Sequence, residues 1–210
     1  MGATDVEKLA ARADVARLLS ACFYEPGNEL GEERVFDALA EAAGRIDTAL
    51  AADARRLGEA FAASDVQSLL VDYARLFLGP IQPRARPYGS VWLEVDEGLM
   101  QESTLGVARL YEEGGFEVAE DFRDLPDHVA AELEFLYLLL FNAAKAAAAG
   151  DDAALAPAAA LRRRFLAEHL GAWIAPFAQA MRDGAETDFY RALADLAEGF
   201  VRREAADASH

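Results

Sequence analysis

Apolar residues recur every three or four positions along almost the whole chain, and no convincing stretch alternates β-branched or aromatic residues with polar ones. The pattern predicts an all-α protein. A first helix over about 5–24 carries Val6, Leu9, Ala13 and Leu19 on one face, with Thr4 and Glu7 as a capping box and Glu25-Pro26-Gly27 as its stop. Alanine-rich helices follow over about 31–43 and 45–63, divided at Gly44. Ser64-Asp65-Val66-Gln67 reads as a second capping box, opening a helix whose apolar stripe is Leu69, Leu70, Tyr73, Leu76 and Phe77.

Between Leu78 and Trp92 the periodicity stops. Gly79, Pro80, Pro83, Pro87 and Gly89 do not fit the interior of a regular helix, so this segment is predicted as the longest loop. A helix over 101–114 ends at Gly114-Gly115, and an irregular segment over 116–125 leads to Pro126, which opens a long helix over about 127–149. Leu133, Phe135, Leu136, Leu138, Leu139, Leu140 and Phe141 make that helix apolar on nearly every side, the mark of a central element packed on several faces. Helices over about 157–170, 171–183 and 187–203 complete the pattern, and the polar residues 204–210 read as a frayed tail. The expectation is eight to ten helices in one domain over 1–210.

Composition narrows the function more than the fold. A chain of 210 residues buries roughly 70% of its unfolded surface on folding, enough for one self-sufficient core. Twenty Lys and Arg against 37 Asp and Glu give a net charge of -17, which repels nucleic acid and anionic membranes and draws in basic segments. Cys22 is the single cysteine, which excludes an internal disulfide and a thiolate zinc cluster and fits a reducing cytoplasm. The N-terminus lacks a basic stretch followed by an apolar run, and the most apolar segment, Phe135 to Phe141, is too short to span a bilayer; neither export nor insertion is expected.

Enzyme signatures are missing. Lys8 and Lys145 follow Glu7 and Ala144, so there is no Gly-Lys-Ser/Thr of a P-loop, and GxGxxG after a strand, GxSxG and HExxH are absent too. A di-iron four-helix site needs Glu-x-x-His pairs, yet Leu125 and Leu166 stand three residues before His128 and His169. His128 and Glu132 share a helix face at i,i+4 spacing but have no further ligand nearby, so no metal and no catalytic residue is assigned.

Two features bear more than one reading. Pro126-Asp127-His128 either starts a helix, with Asp124 or Asp127 satisfying its free amides, or lies at the rim of a groove where Asp127 pairs with an arginine. The 79–92 loop is either a rigid connection with Trp92 as a core anchor, or a preorganised platform on which Tyr88 and Trp92 receive a peptide. Tyr73, Leu76 and Phe77 by spacing alone belong to the core, as do Phe165, His169, Trp173 and Phe177.

The run Tyr73-Ala-Arg-Leu76-Phe77-Leu-Gly79-Pro80, then Pro83, then Pro87-Tyr88-Gly89-Ser90-Val91-Trp92, followed by Pro126-Asp127-His128 and Glu132-Leu133, resembles the TorD/DmsD/NarJ family of redox-enzyme maturation proteins. Phe165-Leu-Ala-Glu-His169-Leu170 with Trp173 and Phe177 is similar to the family pattern as well. The resemblance implies an all-helical cytoplasmic chaperone without enzymatic turnover or a cofactor of its own. Its implied partners are the catalytic subunit of a molybdoenzyme of the dimethyl-sulfoxide-reductase type and that subunit's twin-arginine leader; it would assist cofactor insertion and delay export. The leader-binding region carried over falls on Leu76, Phe77, Gly79, Pro80, Pro87, Tyr88, Ser90, Trp92, Pro126, Asp127 and His128. Leu125 stands where the family often has an acidic residue, so the polar part of the groove differs here. The resemblance further implies a hinge over 116–124 and either a monomer or a dimer formed by exchanging helices across that hinge. The competing reading is a helical scaffold or regulator that meets folded partners through its acidic surface and recognises no leader.

Overall fold

The computed structural model describes residues 3–79, 82–94, 101–117 and 123–209. Among them the chain is helical, in the order α1 (Ala3–Ala21), α2 (Glu29–Glu32), α3 (Val35–Gly44), α4 (Thr48–Ala62), α5 (Val66–Tyr73), a π-helical turn (Ala74–Leu78), α6 (Ser90–Leu93), α7 (Glu102–Glu113), α8 (Val129–Ala149), α9 (Asp152–Glu168), α10 (Leu170–Gly184) and α11 (Asp188–Ala208). Among the described residues a single β-bridge joins Tyr88 to His128. Of the hinge expected over 116–124, residues 118–122 lie outside the described residues.

α8 is the central element. Leu133, Phe135, Leu136, Leu139 and Leu140 are all buried, because α1 covers one side of the helix and α9 and α10 cover others. α1 answers with Val15, Ala16, Leu18, Leu19 and Cys22, and burial pushes the Cys22 thiol up to about 12, leaving it a small apolar filler. Behind this layer Phe23, Phe77, Phe177 and Tyr190 meet ring to ring at centroid distances of 5.6–6.4 Å. A second aromatic group, Phe36, Phe61 and Phe189, ties α3, α4 and α11 together. The buried side chains form one contiguous cluster from α1 to α11.

Several element ends depart from the periodicity, each for a local reason. The helix expected over 31–43 is broken at Arg34, which takes a left-handed φ of 55° between α2 and α3. Helix α5 is capped by Asp65 rather than Ser64: the Asp65 carboxylate accepts the Ser68 amide at 2.9 Å, while the Ser64 hydroxyl turns back to the Ala60 carbonyl at the end of α4. α9 begins five residues before Pro157, because Asp151 caps it through the Ala154 amide. α8 begins at Val129, so Pro126 and Asp127 precede the helix, and His128 is its cap.

The tail is the largest correction. α11 continues to Ala208, and Glu204, expected to be frayed, is buried. Its carboxylate takes Arg12 at 2.6 and 2.7 Å, with Arg162 3.7 Å away, and Asp207 joins both arginines, so charges from α1, α9 and α11 hold the end of the helix. Where α11 begins, its own N-cap Thr187 uses no side-chain cap. Asp72 of α5 caps it from a distance, accepting the amides of Glu186 and Thr187, the Thr187 hydroxyl and the Arg75 guanidinium.

Candidate functional site

The π-helical turn ends at Gly79, whose amide reaches back five residues to the Ala74 carbonyl. Gly79 has φ of 56°, and a Cβ there would stand 2.5 Å from the Pro83 nitrogen, so glycine is required. Leu76 and Phe77 point inward and are buried; Leu78 is 62% exposed. Pro80 lies outside the described residues. Ala85 then donates to the Leu76 carbonyl at 2.8 Å, which returns the chain to the turn it left.

From Arg86 the loop crosses the start of α8 and is fastened there at four points. Val129 donates to the Pro87 carbonyl at 2.8 Å, Gly89 to the Asp127 carbonyl at 2.8 Å, and the Ser90 amide to the Asp127 side chain at 2.9 Å. The Tyr88 hydroxyl donates to Asp124 at 2.8 Å, and the Tyr88 ring meets the His128 ring edge-on at 5.3 Å. Within the loop, Trp92 Nε1 donates to the Arg86 carbonyl at 2.9 Å, and its indole reaches Phe177 of the core at 6.2 Å. Pro126 gives its carbonyl to the Tyr111 hydroxyl at 2.7 Å.

Pro87, Tyr88, Ser90, Trp92, Pro126, Asp127 and His128 are thus brought together, while Leu76 and Phe77 form the apolar floor behind them. Asp127 is not a rim residue. It is 1% exposed, with one oxygen capping α6 through Ser90, and His128 is 4% exposed, its Nδ1 accepting the Ala130 amide at 3.2 Å. Burial lowers the His128 pKa against the opposing charges of Asp124 and Asp127, in keeping with an imidazole that accepts a hydrogen bond. Glu132, the i,i+4 partner considered for a metal, is buried and takes Trp173 Nε1 at 3.1 Å.

The accessible part of the site includes residues that periodicity assigned elsewhere. Tyr88 and Trp92 are half-buried, as is Tyr73, and Asp124 is exposed. Burial raises the phenol pKa of Tyr24, Tyr73 and Tyr88, and the charge of Asp124 adds to the shift in all three, which places this carboxylate among three tyrosines. Glu134 accepts the hydroxyls of Tyr24 and Ser20, and Tyr24, Glu25, Glu29, Glu134 and Tyr137 line an adjoining cleft of about 500 Å³. Aromatic faces beside carboxylates make a surface suited to a guanidinium. Tyr24 follows the end of α1 and Glu134 lies on α8, and the packing of α1 on α8 brings the two together near Asp124.

Comparison with known proteins agrees with this architecture. The family model described as nitrate reductase delta subunit matches residues 43–179, which include the loop, the turn before α8 and Trp173. The chaperone protein TorD of Shewanella loihica is 28% identical over 206 residues, covering 91% of this chain and 90% of that protein. The Tat proofreading chaperone DmsD of Salmonella typhi is 30% identical over 186 residues, covering 88% and 84%, and the selenate reductase assembly chaperone protein of Thauera selenatis is 36% identical over 109 residues, covering 51% and 53%. The fold matches the crystal structure of an Archaeoglobus fulgidus protein assigned to redox enzyme maturation, with a TM-score of 0.50 at 19% identity over 94% of each chain. With a family model spanning well over half its length and a relative 30% identical over most of both chains, the chain belongs to the TorD/DmsD/NarJ family of redox-enzyme maturation chaperones.

Proposed function

We propose that this chaperone acts in the cytoplasm on a molybdoenzyme catalytic subunit of the dimethyl-sulfoxide-reductase type, binding its twin-arginine leader and apo form, delaying export and assisting cofactor insertion. The leader is received along the 79–92 loop and the turn before α8. The observation that carries this reading is the fastening of the loop across α8, which holds Tyr88 and Trp92 half-exposed beside Asp124 and the neighbouring tyrosines. A loop already held in place has little ordering entropy left to lose when a peptide settles on it. The net charge of -17 steers a basic leader toward the molecule, and the carboxylates near Tyr88 give its guanidiniums bidentate partners. Asp127 and His128 act from beneath, by fixing the loop, and Leu76 and Phe77 by supporting it.

The test is titration of the purified chaperone with a synthetic leader from a molybdoenzyme of its own host, followed by calorimetry. Tyr88→Ala, Trp92→Ala and Asp124→Ala each weaken binding severalfold with helical content unchanged, and so does replacing both leader arginines by lysine, which keeps the charge and loses the planar fork. Unchanged affinity in all three variants refutes the location. Failure of the intact protein to bind any leader, with binding to a leader-less client retained, establishes the scaffold reading instead.

A further inference from the structure

Beneath the loop lies a group of buried polar atoms that have no hydrogen-bond partner among the described residues: Ser90 Oγ, Asp127 Oδ1, Glu132 Oε1 and His169 Nδ1, with Thr104 Oγ1 on the adjacent α7. They belong to one neighbourhood. Glu132 Oε1 lies 3.1 Å from where a Cβ on Gly89 would stand, and the next residue, Ser90, is held by Asp127 Oδ2. His169 precedes Trp173, the donor to Glu132 Oε2, by one turn and lies against Gly106 of α7. The charge of Asp127 acts on both Glu132 and His169.

Protein interiors leave few buried polar atoms unsatisfied, and where side chains do not meet them, ordered water does. The chemistry of these atoms is complementary. Burial pushes the Glu132 carboxyl well above the usual carboxylate range; the Trp173 indole opposes the shift and the Asp127 charge adds to it. Glu132 is fully buried with no cation bonded to it, an environment that favours the protonated acid, and because Oε2 is occupied by Trp173, that proton belongs on Oε1, an atom in want of an acceptor. Asp127 Oδ1 is in want of a donor, and the two do not bond directly. A water between them would satisfy both, accepting from Glu132 and donating to Asp127.

We propose that Glu132 is a positioning residue for the loop: as a neutral acid it donates to a buried water that donates to Asp127 Oδ1, and Asp127 passes the restraint through Oδ2 to the Ser90 amide. The titratable groups nearest the pair are Tyr111, His128 and His169, with the carboxylates of Asp124 and Glu134 beyond them. Tyr111 of α7 is buried and its phenol pushed well up, burial first and the charges of Glu132, Asp127 and Glu134 next; its hydroxyl is spent on Pro126. His128 at the start of α8 and His169 at the α9–α10 junction are both lowered by burial. Loss of the Glu132 proton places two carboxylates in one buried pocket, and the cheapest relief is release of the loop from α8. The inference concerns how the loop is attached and holds whatever the loop binds.

Amide hydrogen exchange at Gly89 and Ser90, measured by NMR against pH and corrected for intrinsic exchange, tests it. In the wild type the closed-to-open ratio falls about tenfold per pH unit as pH rises from the ordinary glutamate value of about 4.3, and it levels off once the raised Glu132 of the closed state titrates, as one-proton linkage requires. In Glu132→Gln, whose amide still donates to the water and accepts from Trp173, the ratio is flat over the same range. Infrared spectroscopy of the wild type shows a protonated-carboxyl band at neutral pH that Glu132→Gln removes and Asp127→Asn shifts. Parallel exchange in wild type and Glu132→Gln overturns the proposal, as does the absence of that band. If Glu132→Gln does not fold, the wild-type band and its response to Asp127→Asn decide: a band indifferent to Asp127 refutes the coupling.

Discussion

Replacing Gly89 by alanine sets two effects of known sign against each other. Gly89 has φ of -59° and ψ of -39°, ordinary right-handed helical angles, so the backbone accepts a side chain without strain. On propensity and unfolded-state entropy alone the substitution stabilises by about 0.4–1 kcal/mol. The new methyl, however, would stand 2.9 Å from Trp173 Nε1, 3.1 Å from Glu132 Oε1 and 3.2 Å from Trp173 Cε2, all inside ordinary van der Waals contact. None of these atoms yields easily: Trp173 and Glu132 are both fully buried and bonded to each other, and Phe177 lies 5.3 Å from the Trp173 ring. Overpacking of such a site costs typically about 1–3 kcal/mol, so the clash prevails and the net loss is about 1–2 kcal/mol. For a chain of this size that lowers Tm by roughly 2–8 °C. Thermal and urea unfolding measure the loss, and Trp fluorescence reports displacement of the loop. A Gly89→Ala protein more stable than the wild type, with an unchanged emission spectrum, would show that the loop does not sit on the Trp173–Glu132 pair, and the account of the site built on that contact would fail.

Two further outcomes test the frame that holds the site. Burial pushes the Asp72 carboxyl up, but the Arg75 guanidinium and the donors of Thr187 and Glu186 outweigh it and hold the group below its usual value. Its stabilisation is therefore complete above the ordinary aspartate pKa of about 3.9 and is lost as pH falls through the lower folded-state value, so wild type and Asp72→Asn differ in urea unfolding near neutrality and converge in acid. A difference that stays constant with pH refutes the distant capping of α11. Glu204→Ala leaves Arg12 and Arg162 facing Asp207 alone, and because each arginine side chain retains 13% exposure the loss lies at the low end of the range for breaking a buried pair, about 3 kcal/mol. A loss below about 1 kcal/mol by urea unfolding would return the tail to the frayed state that its composition suggests.

The parts of the fold that were legible are those where one short-range rule acts alone. The apolar faces of α8 announce a helix packed on several sides, and the Pro and Gly content of 79–92 announces the loop. Helix ends were read less well, because a cap is a competition between neighbours: Asp65 prevails over Ser64 by a stronger acceptor, and His128 caps α8 because the Asp127 side chain is committed to Ser90. Glu204 departs from its local pattern for a different reason. A glutamate in a polar stretch reads as solvated, and the partners that bury it, Arg12 and Arg162, are 192 and 42 positions away in the chain, beyond any local pattern.

The same distance effect explains Asp127, and it changes what a substitution there reports. In sequence, Pro-Asp-His at a helix start offers an exposed carboxylate to a ligand; in the structure that carboxylate is spent on the Ser90 amide, and the accessible carboxylates are Asp124, Glu25 and Glu134, gathered only when α1, the π-helical turn and the loop meet over α8. Loss of leader binding in Asp127→Ala is thus ambiguous between a lost contact and a released loop. Loss in Asp124→Ala, which removes an exposed group and one of the four fastenings but leaves the three backbone-donor bonds of the loop in place, is less so. Residues that shape the site and the exposed residues proposed to meet the leader lie next to each other in this chain, and burial separates them.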